Sequence, residues 1–232
     1  MITLDPLPLF FVGDHHGSYT DLFDIIKQHD IKDSYLIHVG DGGEGFITNR
    51  DKQLRQYDYI NDHFKNRNIF YKSIRGNHSN PLYFRGENRI HLSHFELIED
   101  YTLGTYQGKT IQFIGGAISI DRVARSPNVS YWEDEAAFFD KDKCSKVDIL
   151  VTHTAPSWCF PYKFNEMVLN WTRRDAYLTE DLIEERSLLD AIFKICSPSL
   201  HLYGHFHSSW TEQINQCKHK LLNINEFWML NA

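Results

Sequence analysis

The chain has 232 residues, 42% hydrophobic and 14% aromatic, enough apolar surface for a substantial core and too much for a disordered protein. Lys and Arg number 24 against 31 Asp and Glu, a net charge of −7, which argues against an extended nucleic-acid footprint but allows a small basic pocket. No apolar run reaches the ~18 residues of a membrane span. The opening residues 1–6 lack the basic leader of a secretory signal. Cys144, Cys159, Cys196 and Cys217 stand far apart with no C-x-x-C, which gives little support to a disulfide framework or a Cys-based zinc site. A reducing, cytoplasmic setting is expected.

No internal repeat, low-complexity tract or linker divides the chain, so 1–232 reads as one domain. Residues 7–12 form a short apolar run that stops at Gly13-Asp14, a predicted buried strand. Residues 18–29 carry apolar positions at Leu22, Phe23, Ile25 and Ile26, a helical pattern opened by a Ser or Thr cap. Residues 35–39 are a second strand, ending at Gly40-Asp41, and the three elements make a right-handed parallel βαβ unit. A helix over 51–66 and a strand over 69–74 follow, the strand running into Arg75-Gly76-Asn77-His78.

Beyond residue 90 the pattern changes. Strands over 95–98, 101–106 and 110–114 are expected to be antiparallel, with turns at Gly104 and Gly108. A short helix is predicted over 132–139 and a strand over 147–152 that ends at His153. Residues 155–174 read as an aromatic loop, a rim that selects substrate or ordinary packing. A helix over 179–196 with Thr179 as N-cap precedes a strand over 199–203, which ends at Gly204-His205-Phe206-His207. The tail, 209–230, reads as two or three strands.

Five segments share one design: an apolar strand ends and a metal-capable side chain follows. They hold Asp14 and His16, Asp41, Asn77 and His78, His153, and His205 and His207. Ligands gather beyond the carboxyl ends of strands in open α/β folds. Carboxylate, amide oxygen and imidazole, without thiolate, favour Mn, Fe or Zn. The D-x-H and H-x-H spacings suit extended segments, where alternate side chains project the same way. His15 has the wrong parity to join them. His38 and His201, inside strands, are expected to be packed or to support a ligand, and His63, His91, His94 and His219 to lie at the surface. Tyr131 and Trp132 offer either a stacking wall for a base or core packing.

The ordered set D-x-H, G-D, G-N-H, H and G-H-x-H resembles the calcineurin-like metallophosphoesterase family, over residues 14–207. The stretch 115–132 is similar to small bacterial and phage members. The resemblance implies an α/β fold, a four-layer αββα sandwich of two mixed β-sheets flanked by helices. It implies a first ion held by Asp14, His16, Asp41 and His207, and a second by Asp41, Asn77, His153 and His205, with Asp41 bridging and manganese placed ahead of iron and zinc. It further implies hydrolysis of a phosphomonoester or phosphodiester by a metal-bridging hydroxide, with His78 as general acid or as a hydrogen-bond donor to the phosphate.

Protein-phosphatase members read G-D-x-x-D-R-G; this chain reads Gly40-Asp41-Gly42-Gly43-Glu44-Gly45. Glu44 replaces the aspartate that orients the histidine and is expected to bond His78. Gly45 replaces the phosphate-gripping arginine, which disfavours a phosphoprotein substrate and leaves Arg75, Arg122 and Arg125 as substitutes. Dinucleoside polyphosphates, nucleotides and nucleic-acid ends stay compatible. The contrasting reading is a catalytically silent scaffold of the same fold.

Overall fold

The computed structural model describes residues 1–4 and 6–230. In chain order the elements are β1 (Ile2–Thr3), β2 (Leu9–Val12), α1 (Tyr19–Gln28), β3 (Ser34–His38), α2 (Arg50–Lys65), β4 (Ile69–Ser73), β5 (Phe95–Leu97), β6 (Thr102–Tyr106), β7 (Lys109–Ile114), β8 (Ile149–Thr152), α3 (Glu166–Thr172), α4 (Leu178–Cys196), β9 (Leu200–Tyr203), β10 (Trp210–Ile214), β11 (Cys217–Leu221) and β12 (Phe227–Met229). They build two mixed sheets. The smaller runs β12-β2-β3-β4-β5, parallel except at β12; the larger runs β1-β6-β7-β8-β9-β11-β10, antiparallel only at β6–β7 and β10–β11.

The sheets face each other across one apolar layer. Leu9, Phe11 and Ile37 of the smaller sheet meet Ile111, Phe113, Ile149, Val151 and Leu202 of the larger. Each such side chain contributes roughly 1.5–3 kcal/mol by leaving water. On the outside of the smaller sheet, α1 buries Tyr19, Leu22 and Ile26, spaced along one helical face, and α2 adds Tyr57, Ile60 and Phe64. Asn49 caps α2 by accepting from Lys52 N at 3.0 Å. On the outside of the larger sheet, Leu189, Ile192 and Cys196 of α4 cover Ile114 and Leu150. This is the four-layer αββα sandwich. Among the described residues no helix is long and apolar enough to cross a membrane.

Four local expectations differ. β5 was expected to be antiparallel but pairs in parallel with β4, because the chain from 74 to 94 crosses over the smaller sheet before β5 joins its edge. Residues 132–139 form no helix. Their backbone is taken by tertiary partners: the carbonyls of Glu135 and Ala136 accept from the Arg75 guanidinium. Thr179 is inside α4, which starts one residue earlier after Tyr177. The aromatic stretch 155–174 contains α3, and Arg186 of α4 holds its first part through the carbonyls of Ala155, Pro156, Cys159 and Pro161.

Glu185 of α4 is buried against Ala137, facing Glu135, Arg75 and His153, and burial pushes its carboxyl up to about 8. Its pKa in the fold lies above that of an unfolded glutamate. The fold therefore keeps a proton that the unfolded chain releases, and stability falls as pH rises between about 4.5 and 8. Glu185→Gln is expected to melt higher than the wild type at pH 8.5, with the difference vanishing near pH 4.5. Thermal melts at the two pH values check this; an equal difference at both contradicts it.

Candidate metal centre

The carboxyl ends of β2, β3, β4, β8 and β9 come to one edge of the sandwich, and the candidate ligands stand in the loops just beyond. Asp14, Asp41, Asn77 and His153 are buried, His16 and His205 half-buried, and His207 exposed, so the centre has a closed floor and an open face. The ligand atoms of Asp14, His16, Asp41 and His207 lie within 4.8 Å of one another, as do those of Asp41, His153 and His205. The imidazoles of His16 and His207 meet at 2.9 Å through their Nε2 atoms, and His207 Nε2 is 3.3 Å from Asp14 Oδ2. His153 Nε2 is 3.3 Å from Asp41 Oδ1, and Asn77 Oδ1 is 3.2 Å from His153 Nε2 and 2.9 Å from His205 Nδ1. Asp41 alone belongs to both groups.

Neighbours fix the orientation of these side chains. His153 Nδ1 donates to Val39 O at 2.8 Å, which turns Nε2 inward, where an ion that displaces its proton would find the lone pair. The Asn77 amide donates to Ser119 Oγ at 3.1 Å, so its oxygen points inward. Asp14 accepts from the backbone of His205 and Asp41 from that of His78. Glycines let the loops close up: a Cβ at Gly76 would lie 2.1 Å from Asp41 Oδ1, and one at Gly204 2.3 Å from Asp14 Oδ1.

The loops are not extended, as the alternate spacing had suggested. His16, Asp41, His205 and His207 all have positive φ, between 46° and 70°. Such backbone costs of order 1–3 kcal/mol per residue and gathers at functional sites. The left-handed turns, rather than strand alternation, bring the side chains together.

The electrostatics suit a cation. Burial alone would raise the Asp41 carboxyl, but His153, His78 and His16 outweigh it and hold it well below the usual range. His153 is pushed up to about 9: burial opposes the shift, and Asp41 overrides it. Two buried carboxylates thus draw positive charge into the centre. Carboxylate oxygens, an amide oxygen and imidazole nitrogens with no thiolate among them fit divalent Mn, Fe or Zn.

His78 stands beside the two groups and belongs to neither. Its ring packs on His16 with centroids 4.8 Å apart, and the Arg125 guanidinium lies over it, Nη2 being 2.8 Å from His78 Nε2. Burial, then the Arg125 charge against the pull of Asp41, leaves the imidazole low, at about 4. Arg125 is steadied by Asp121 at 2.6 Å.

The other two arginines are engaged elsewhere. Arg75 is 3% exposed and bound to Asp100 at 2.6 Å and to loop carbonyls, and Arg122 is bound to Asp175 and Asp181. Each reaches a carboxylate that the fold already presents, so neither faces the centre. Glu44 does not bond His78 either. It is buried, its Oε2 accepts from Ser79 Oγ at 2.6 Å, and the longer side chain folds back under its own loop. His15 and His38 are core residues, paired with Tyr71 and Ser73. Trp132 is buried and Tyr131 half-buried. Of the histidines expected at the surface, His219 is fully buried, on the inward-alternating positions of β11.

Sequence reading missed Ser119 and Glu135. Glu135 accepts from Ser119 N at 2.7 Å, and Ser119 holds the Asn77 amide. The only signal for Ser119 was membership of the stretch 115–132, and Glu135 lay in the helix expected over 132–139. Ser119→Ala is expected to weaken metal binding roughly 10–100-fold, as loss of a ligand's orienting partner does. A metal titration by calorimetry checks it; unchanged affinity contradicts the role.

No curated protein sequence matches the chain. Among solved structures, a candidate 5′-nucleotidase from Staphylococcus aureus aligns at 14% identity and TM-score 0.48, over 94% of this chain and 48% of that one. This chain therefore spans about half the length of that protein. The phosphopantetheinyl hydrolase of Mycobacterium tuberculosis aligns at 13% identity and TM-score 0.44, over 94% and 90% of the two chains. A cold-active protein-tyrosine phosphatase of a psychrophilic Shewanella aligns at 12% identity and TM-score 0.42, over 99% and 77%. The profile of the calcineurin-like phosphoesterases matches residues 7–209, which takes in every candidate ligand, and the chain belongs to that family.

Proposed function

We propose that the chain is a hydrolase that cleaves a phosphomonoester or phosphodiester with two divalent metal ions, manganese first among the candidates. The observation that carries this reading is the convergence of two donor groups on one shared, buried carboxylate, Asp41. Asp14, His16, Asp41 and His207 would hold one ion, and Asp41, Asn77, His153 and His205 the other. Two such ions supply Lewis acidity toward phosphate oxygens and lower the pKa of a shared water.

The protein's own groups do the rest. The buried floor fixes the ligands before substrate arrives, so little reorganisation is needed during reaction. The open face beside His207 and His78 admits the phosphate. Arg125 offers donors for the phosphoryl oxygens. His78, beside the two donor groups, would act as general acid or as a donor to the phosphate. Burial and the Arg125 contact keep its imidazole neutral in the free protein, so it would take up its proton only once Arg125 turns to the phosphate. Gly45 brings no cation to the site, so phosphate recognition rests on Arg125 and His78, which favours small or terminal phosphates over a phosphoprotein.

The test is a substrate panel on manganese-loaded protein with Asp41→Asn as control: para-nitrophenyl phosphate, its bis-ester, a phosphopeptide, a dinucleoside tetraphosphate and a 3′-phosphorylated oligonucleotide. Turnover of any one, absent from the mutant, supports the hydrolase and ranks its substrates. Silence across the panel with metal bound supports the scaffold instead.

A further inference from the structure

A second cluster of metal-capable side chains lies away from that centre. His201 on β9 and His219 on β11 are register partners on adjacent parallel strands, and their Nδ1 atoms stand 3.2 Å apart. Cys159, in the loop after β8, brings Sγ to 3.4 Å from His219 Nδ1. All three residues are buried, and their donor atoms lie within 4.8 Å of one another. The cluster sits on the outer face of the larger sheet, under α4, where Phe193 stacks on His219. It has no residue in common with the centre at the strand ends.

Hydrogen bonding leaves this cluster unsatisfied. Thr152 Oγ1 donates its single proton to Thr154 O and must therefore accept from His201 Nε2, 2.8 Å away. A neutral His201 then presents a bare lone pair at Nδ1, aimed at His219. If His219 carries its proton on Nε2, two imidazole lone pairs face each other, and the Nε2 proton has no partner. If the proton is on Nδ1, His201 and the sulfur compete for it, and Nε2 is a buried acceptor with no partner. Neither tautomer pairs the facing Nδ1 atoms and the sulfur, whereas a cation between them would engage both Nδ1 lone pairs and Sγ, with His219 in its Nε2–H tautomer.

We propose that Cys159, His201 and His219 form a zinc site, bound through Sγ and the two Nδ1 atoms, independent of the phosphoesterase centre. Zinc takes imidazole nitrogen at about 2.0–2.1 Å and thiolate at about 2.3 Å, so the edges of a tetrahedral site are roughly 3.3 Å between nitrogens and roughly 3.5 Å between sulfur and nitrogen. The observed 3.2 and 3.4 Å, both at His219, match the nitrogen–nitrogen edge and one sulfur–nitrogen edge, and the third edge, from Cys159 Sγ to His201, is within 4.8 Å. The scaffold is already in place. Thr152 fixes the His201 tautomer, strand register fixes His219, and Arg186 binds the Cys159 carbonyl. Burial raises the Cys159 thiol well above its usual range, so zinc would bind with release of its proton. Thiolate with two imidazoles favours zinc over manganese, which sets this site apart from the thiolate-free centre at the strand ends. The ion would tie the loop after β8 to β9 and β11.

Cobalt substitution tests this, because a thiolate on Co(II) gives an intense near-ultraviolet charge-transfer band that oxygen and imidazole ligands do not. Metal-free wild type titrated with Co(II) is expected to show the band, and added zinc to remove it. Asp41→Asn should keep the band and Cys159→Ser should lose it. No band in the wild type, or a band that survives in Cys159→Ser, overturns the proposal. Should Cys159→Ser not fold, zinc-edge X-ray absorption on Asp41→Asn loaded with one equivalent decides. One sulfur neighbour with imidazoles is expected, and a sulfur-free shell refutes the site.

Discussion

Replacing Asp41 by Asn is expected to abolish measurable metal-dependent hydrolysis while the protein stays folded. Asp41 is the only residue in both donor groups and is 1% exposed, so no solvent can take over its role. The amide removes the charge that the surrounding imidazoles answer and offers one acceptor oxygen where the carboxylate offers two. That oxygen can still accept from His78 N, a bond of 2.7 Å in the wild type, so the loop conformation should survive. Losing a ligand's supporting partner costs roughly 10–100-fold, and losing a shared ligand should cost more, at least about 100-fold in kcat/KM. Steady-state kinetics with metal analysis and a thermal melt check this. Wild-type activity in Asp41→Asn contradicts the shared role.

His78→Ala should separate binding from turnover. The His78 ring is in neither donor group, and the contact it makes with Asp41 is through its backbone, which alanine keeps. Metal content should therefore hold, while kcat falls by roughly 10²–10⁴-fold, the range of a lost general acid. The loss should depend on the leaving group. A para-nitrophenolate leaves without help, whereas an alkoxide needs a proton, so the deficit should be larger for an alkyl phosphate than for the aryl ester. Equal losses for both would place His78 in phosphate binding instead. Loss of metal would contradict the role outright.

Much of this centre was legible in the sequence because strand ends leave a local signature. A short apolar run that stops at Gly-Asp, Gly-Asn-His or Gly-His-x-His is visible within a few residues and marks six of the seven candidate ligands, while His153 follows its strand with no glycine. Convergence beyond the carboxyl ends of the strands holds, but the extended backbone expected for the D-x-H and H-x-H pairs does not: His16, His205 and His207, like Asp41, are in left-handed turns, a backbone state that residue type announces only weakly.

The remaining misses share one cause, contacts between residues far apart in sequence. Arg75 was a candidate for phosphate, but Asp100 and the carbonyls of Glu135 and Ala136, in the non-helical stretch 132–139, engage it. Glu44 found Ser79 rather than His78. Ser119 matters only because Asn77 lies beside it, 42 residues earlier in the chain. His219 carried no motif because its partners, His201 and Cys159, come from another strand and another loop.

The claim on which the account depends is that this chain holds two metal ions at once through Asp41. An electron paramagnetic resonance titration of the metal-free protein with Mn(II) tests it most directly. The account predicts that two equivalents bind and that the bound spectrum shows spin coupling between neighbouring ions, a coupling that Asp41→Asn destroys. A single, magnetically isolated ion per chain in a protein that still turns over substrate would contradict it.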